Sequence, residues 1–159
     1  MISLKKFVIF TLVVCLLFPV GSVYGHGFGI DTISSVNVQG KQLSISVEMP
    51  MYFENDQEGQ ITITATEDET KENAKNVTFL IGLFHKDEMI FRNYFFTDNG
   101  VLPIKITPKQ GYDNFIIHGE QDSLLGAWHG TESNPIEIVG PLFTSGGLYN
   151  YHTLVLVLS

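Results

Sequence analysis

Between positions 76 and 97 the chain reads NVTFLIGLFHKDEMIFRNYFFT, two apolar runs around the polar break His85-Lys86-Asp87-Glu88. Val77, Phe79, Ile81 and Leu83 alternate with Thr78, Leu80, Gly82 and Phe84, and the returning run carries Ile90, Phe91, Tyr94, Phe95 and Phe96. This pattern predicts a β-hairpin, and apolar residues on both faces predict central strands covered on each side. The flanking alternation is of the half-wet kind. Leu43, Ile45 and Val47 alternate with Ser44, Ser46 and Glu48 in a strand predicted over 42–49, and Ile61, Ile63 and Ala65 alternate with Thr62, Thr64 and Thr66 in one over 60–66. Further strands are predicted over 32–38, 101–107, 115–118, 136–139 and 148–158.

The punctuation between these runs is that of a β protein. Gln39-Gly40-Lys41 joins the first two strands, Pro50 ends the second, and Thr97-Asp98-Asn99-Gly100 is a turn whose Asn and Gly accept positive φ. Residues 67–75 are polar, with room for a turn of helix. Pro103 predicts an edge or bulged position for its strand. Eight or nine short strands without a helical period predict an all-β fold, an antiparallel sandwich, over residues 26–159. The looser stretch 108–147 reads as an elaborated connection within that domain.

The exception to the β pattern is the N-terminus. Lys5 and Lys6 precede an apolar run over 7–20, and small residues follow over 21–25. That is the grammar of a secretory signal peptide, residues 1–25, cut before His26. As a helix the run would span about 21 Å, short of the ~30 Å hydrocarbon core, so it contacts the membrane only as a signal segment if left uncleaved. Cleavage changes the charge picture. The full chain has 9 basic and 17 acidic residues, a formal charge of −8. Losing Lys5 and Lys6 takes it to −10, which repels phosphate backbones and excludes a nucleic-acid partner. Cys15, the only cysteine, leaves with the signal segment, and disulfides and thiolate chemistry leave with it. The expected location is secreted or extracytoplasmic, at the cell surface or in a pseudoperiplasm.

The segments QITITATEDET, AKNVTFLIGLF and FTDNGVLPIKIT resemble the middle strands of immunoglobulin-like domains on bacterial and archaeal cell surfaces. GGLYNYHTLVLV is similar to the penultimate strand of such domains. The resemblance implies an immunoglobulin-like sandwich in which Tyr149 is the corner tyrosine; Trp128, in the Gly-rich segment before 136–139, is read as structural. More narrowly, GHGFGIDTISS and HGEQDSLLGAWHGTESNPIEI resemble exported uncharacterised proteins of ammonia-oxidising archaea, a likeness that brings no activity. Immunoglobulin-like domains follow the corner strand with one more, whereas this sequence stops at Ser159. Either its strand register differs or a closing strand is lacking, which would leave an exposed apolar edge.

Candidate chemistry is sparse. His26, as a new N-terminus, offers an α-amine and an imidazole that chelate copper together, with His118, His129 or His152 as a second donor. Met49 and Met51 form an M-x-M pair whose thioethers suit Cu(I), although methionines at a strand end also simply fill gaps. His118-Gly119-Glu120 and Trp128-His129-Gly130 place two imidazoles near an aromatic in the least regular stretch, where sites are often built and idle polar residues also gather. Asn76-Val77-Thr78 is a glycosylation sequon. The acidic runs 54–58 and 67–72 lack the ligand ladder of an EF-hand loop. Nucleophile elbow, zinc-protease motif and phosphate loop are all missing from the sequence. The expectation is therefore a non-enzymatic extracytoplasmic or cell-surface binding module that meets another surface protein or glycan through residues 112–134. The alternative is an extracytoplasmic copper-binding protein that uses the N-terminal histidine.

Overall fold

The hairpin of residues 76–97 lies in the second of two packed β-sheets. The computed structural model describes residues 29–122, 126–146 and 149–157, so the signal segment and His26 lie outside the described residues. Eleven strands occur among them: β1 (Gly29–Val38), β2 (Lys41–Met49), β3 (Gly59–Glu67), β4 (Val77–His85), β5 (Glu88–Thr97), β6 (Val101–Pro108), β7 (Ile116–His118), β8 (Glu120–Gln121), β9 (Trp128–His129), β10 (Ile136–Gly140) and β11 (Tyr149–Val157). One sheet has the order β1-β2-β3-β6-β10-β7 and the other β11-β4-β5-β9-β8. No helix occurs among the described residues, and 67–75 forms turns closed by a bridge between Thr66 and Asn73 instead of a helical turn.

The turns follow from their residues. Gln39 and Gly40 both take positive φ (51° and 85°), as do Lys86 and Asp87 (50° and 66°). These are the primed two-residue turns whose twist matches that of the strands they join. Leu43, Ile45, Val47, Ile63, Leu102, Ile104, Ile136 and Ile138 from one sheet meet Val77, Phe79, Leu83, Phe91 and Phe95 from the other. Their alternation along each strand puts one apolar row inward per strand, which is what packs two sheets.

Three expectations change. The sheets are mixed, because β10 runs parallel to β6 and β9 parallel to β5; the long return after β6 brings the chain back in the same direction. β5 is covered on one face only, since Met89, Arg92 and Tyr94 are exposed while Phe91 and Phe95 are buried. β6 is interior to its sheet despite Pro103. Its pairing with β10 begins at Ile104, so no β10 residue stands opposite the missing N–H.

Residues 108–147 build four strands that extend both sheets. Through Gly119 the last strand of one sheet, β7, leads directly into the last strand of the other, β8, and this closes one side of the sandwich. On the opposite side β1 and β11 are the edges among the described strands. One end of the sandwich gathers the loop 50–58, the 86–87 turn, the loop 109–115 and the stretch 141–146. The other end gathers the turns at 39–40, 68–76, 98–100 and 130–135.

Candidate binding surface

At the first of these ends, Pro50 stops β2 and releases Met51-Tyr52-Phe53 into a loop. Met51 is 61% exposed and Tyr52 69%, whereas Phe53 turns back and stacks on Phe143 at 4.3 Å and 13°. Gly59 makes room for that ring, since a β-carbon there would lie 2.6 Å from Phe53 Cε1. Phe143 then meets Tyr149 at 4.9 Å, and Tyr149 stacks on His85 at 4.6 Å and 18°. Four rings thus run from the loop of one sheet to the hairpin tip of the other. Offset and tilted ring pairs of this kind contribute beyond their buried area.

The loop 50–58 is pinned to the loop 109–115. The Asp56 N–H donates to the Pro108 carbonyl (2.9 Å), the Gln110 N–H donates to Asn55 Oδ1 (2.8 Å), and Lys109 pairs with Asp56. That pair raises the Lys109 pKa, chiefly through the hydrogen bond to Asp56. Lys105 pairs with Glu58 at 2.9 Å, and its pKa is raised for the same reason. Tyr112 stands 48% exposed on the second loop. Pro50, Met51, Tyr52, Glu54 and Glu58 line a shallow open groove of about 440 Å³. The arrangement presents two tyrosines and a methionine on a braced base with carboxylates at its margin. It can make large-area contacts with little side-chain ordering.

The sequence candidates fall elsewhere or apart. His118 is exposed on β7 opposite Glu137. His129 lies on β9 and bonds through Nε2 to Asp98 Oδ2 at 2.8 Å. His152 is exposed on β11, with its ring against the edge of Phe84 at 4.8 Å. β4 and β5 separate β11 from β9, so about 14 Å of sheet divides His152 from His129. Those two cannot share an ion. Among the described residues no three histidine, cysteine, aspartate or glutamate side chains gather as metal ligands. Met49 packs against the core while Met51 faces solvent, so the two thioethers have different surroundings.

Trp128 packs against the core beside Gly119. Tyr149 Oη donates to the Ser145 carbonyl at 2.8 Å, four residues upstream at the start of its strand. Asn76 is exposed. The expected contact stretch 112–134 is divided by the fold, because it runs from the loop 109–115 along the closed side to the opposite end. What sequence reasoning missed is Tyr52, the place of Met51 beside it on an exposed surface, and the brace beneath them. The signal was an apolar triplet placed after a strand-ending proline, where no strand could bury it. Comparison with protein-family models, with curated proteins and with solved structures finds no match to this chain.

Proposed function

We propose that the chain is a non-enzymatic extracytoplasmic or cell-surface interaction module whose contact surface is the braced pair of loops 50–58 and 109–115. One observation carries the reading: Met51, Tyr52 and Tyr112 project from loops braced by the Asp56 N–H on the Pro108 carbonyl at the end of β6 and by the Gln110 N–H on Asn55 Oδ1. Rigid aromatic side chains on pinned loops are what a binding surface requires, because little freedom is lost on contact. The location rests on the signal-peptide grammar of residues 1–25, and the likeness to exported archaeal proteins belongs to the same reading. The fold is immunoglobulin-like in the broad sense. Two packed sheets are crossed by the β3–β4 and β5–β6 connections, and Tyr149 bonds back to Ser145 as a corner tyrosine does. Its meander β1-β2-β3 departs from the order in which the second strand sits between the first and fifth.

The test is site-specific photo-crosslinking in the cells that make the protein. A photoreactive residue at position 52 or 112 is expected to trap a surface protein or glycan, and one at exposed position 69 or 132 on the opposite end is not. Trapping only from 69 or 132 overturns the reading.

A second reading, copper binding through His26, has one observation in its favour. β1 begins at Gly29 opposite Met49, and the three residues back to His26 span at most about 11 Å. That reach includes Met49, the residue paired with Gly29. N-terminal sequencing followed by Cu(II) titration of the mature chain and of its His26→Ala variant decides it; equal affinities remove the reading.

A further inference from the structure

We propose that Asn76 carries an N-linked glycan, added before β4 pairs into the sheet; this rests on the extracytoplasmic location in the reading above. The inference begins at Thr78. Val77 and Phe79 face the core, so Thr78 points from the other face of β4, where it is nonetheless only 4% exposed. Its register partners are Phe96 on β5 and Leu156 on β11. Its Oγ1 is buried without a hydrogen-bond partner among the described residues. A buried hydroxyl that bonds to nothing loses its hydration with no return in the fold, and each such group calls for an explanation. Valine has nearly the same shape and suits a strand equally well. Among the described residues the sheet gives the Thr78 hydroxyl no partner, as is also true of Thr153 Oγ1 on β11, but only Thr78 stands two residues after an asparagine.

The sequon gives that hydroxyl a use. In Asn76-Val77-Thr78 the hydroxyl two residues after the asparagine is what marks the acceptor. Asn76 itself is exposed, and its backbone is held by an N–H bond to the Asp98 carbonyl at 3.1 Å. Its carboxamide has no hydrogen-bond partner among the described residues. Its φ of 53° is left-handed, which explains why asparagine or glycine would suit position 76. It does not explain threonine at 78. Because the Thr78 hydroxyl is inaccessible in the folded sheet, transfer must precede strand pairing, on the chain as it crosses the membrane.

The donor is a glycan linked through phosphate to a polyprenyl lipid. Asn76 Nδ2 attacks the anomeric carbon, and the new C–N bond forms as the glycosyl C–O bond to phosphate breaks. The lipid phosphate leaves with the bonding pair, and Nδ2 gives up one proton to the transferase. The glycan then sits at the β4 start, beside the 98–100 turn, and leaves the loop platform at the opposite end uncovered.

The test is mass analysis of the peptide spanning residue 76, in protein purified from the cells that make it, for wild type and for Asn76→Gln, Thr78→Val and Thr78→Ser variants. Wild type and Thr78→Ser are expected to carry sugar-mass increments on Asn76, and Asn76→Gln and Thr78→Val to be bare. Thr78→Val made in a host without N-glycosylation is expected to melt at or above the wild-type temperature. A chain cleaved at its signal segment yet bare at Asn76 overturns this inference alone. A chain that retains residues 1–25 in the cytoplasm overturns the location as well. A glycan that persists in Thr78→Val, or a Thr78→Val melting point well below wild type, also overturns it.

Discussion

Phe53 and Phe143 stack with ring centroids 4.3 Å apart and planes 13° from parallel, and they join the β2–β3 loop to the segment after β10. The stack exists because position 59 has no side chain; a β-carbon there would sit 2.6 Å and 2.8 Å from two Phe53 ring atoms. Gly59→Ala is therefore expected to push the ring off Phe143 and destabilise by roughly 1–3 kcal/mol, the range of overpacking. Phe53 is half-buried, so Phe53→Ala should cost about 2 kcal/mol, below the ~3–5 of a fully buried ring. In urea unfolding the double variant should resemble Phe53→Ala alone, because the obstacle is already gone. Strict additivity would show that the ring is not what Gly59 accommodates.

Two glycines with similar φ separate conformational strain from collision. Around Gly40 (φ 85°) no atom lies within 4 Å of where a β-carbon would stand, whereas at Gly100 (φ 75°) a β-carbon would meet the Ala74 carbonyl oxygen at 2.3 Å and that of Ala65 at 2.9 Å. Gly40→Ala should cost only the left-handed penalty, about 1–2 kcal/mol. Gly100→Ala has backbone on both sides that cannot give way, and it breaks the bond from the Ala65 N–H to the Gly100 carbonyl (2.9 Å) if the turn shifts. Its expected cost exceeds about 3 kcal/mol, read as a lower urea midpoint or as loss of soluble protein.

The contrast also shows what a one-dimensional reading carries. Leu43, Ile45 and Val47, and the hairpin with its turn at Lys86-Asp87, were legible because strand period and turn chemistry are local. The parallel partnership of β10 with β6 was not, since nothing local tells Ile136 that it will lie beside Ile104. Pro103 misled for the same reason: its tolerance depends on where β10 begins. Among candidate residues, each histidine was visible, but the distance between His129 and His152 is set by the two strands folded between them. Met51-Tyr52 carried a signal in its position after Pro50, while the brace from Asn55 to Gln110 is a long-range contact that no spacing announces.

The exposed ion pairs make opposite predictions at the two ends of the pH scale. The Glu67 carboxyl lies below its ordinary pKa of 4.5, chiefly because it accepts a hydrogen bond from Lys41 at 2.5 Å. Its contribution is present above 4.5 and is lost as pH falls through the lowered folded-state value. The Lys109 pKa is raised above 10.5 by Asp56, so its contribution is present below 10.5 and is lost as pH rises through the raised value. The melting-temperature deficit of Lys41→Met should thus vanish in acid, and that of Lys109→Met in strong alkali. Both deficits should be small and should shrink in high salt, as expected of solvent-screened pairs. A Lys109→Met deficit that grows above pH ~11 would contradict the assignment.

If the loop pair is the contact surface, its anchors and its brace should affect binding in different ways. Tyr52→Ala removes an exposed aromatic face and nothing that the fold rests on, so its expected cost is about 2 kcal/mol of binding, roughly thirtyfold in Kd, with an unchanged melting temperature. Asn55→Ala leaves every outward side chain in place but removes the acceptor of the Gln110 N–H, and Tyr112 loses its fixed base. The loss there is ordering entropy, about 1 kcal/mol or fivefold. Because Asn55 acts through the position of Tyr112, Asn55→Ala should weaken binding far less in a Tyr112→Ala background than in the wild type. Affinity for the partner trapped from position 52, measured for the wild type, Tyr52→Ala, Asn55→Ala, Tyr112→Ala and the Asn55→Ala/Tyr112→Ala double variant, checks it. Additive losses would mean that the brace and Tyr112 act independently, and the loops would then be two separate contacts instead of one platform.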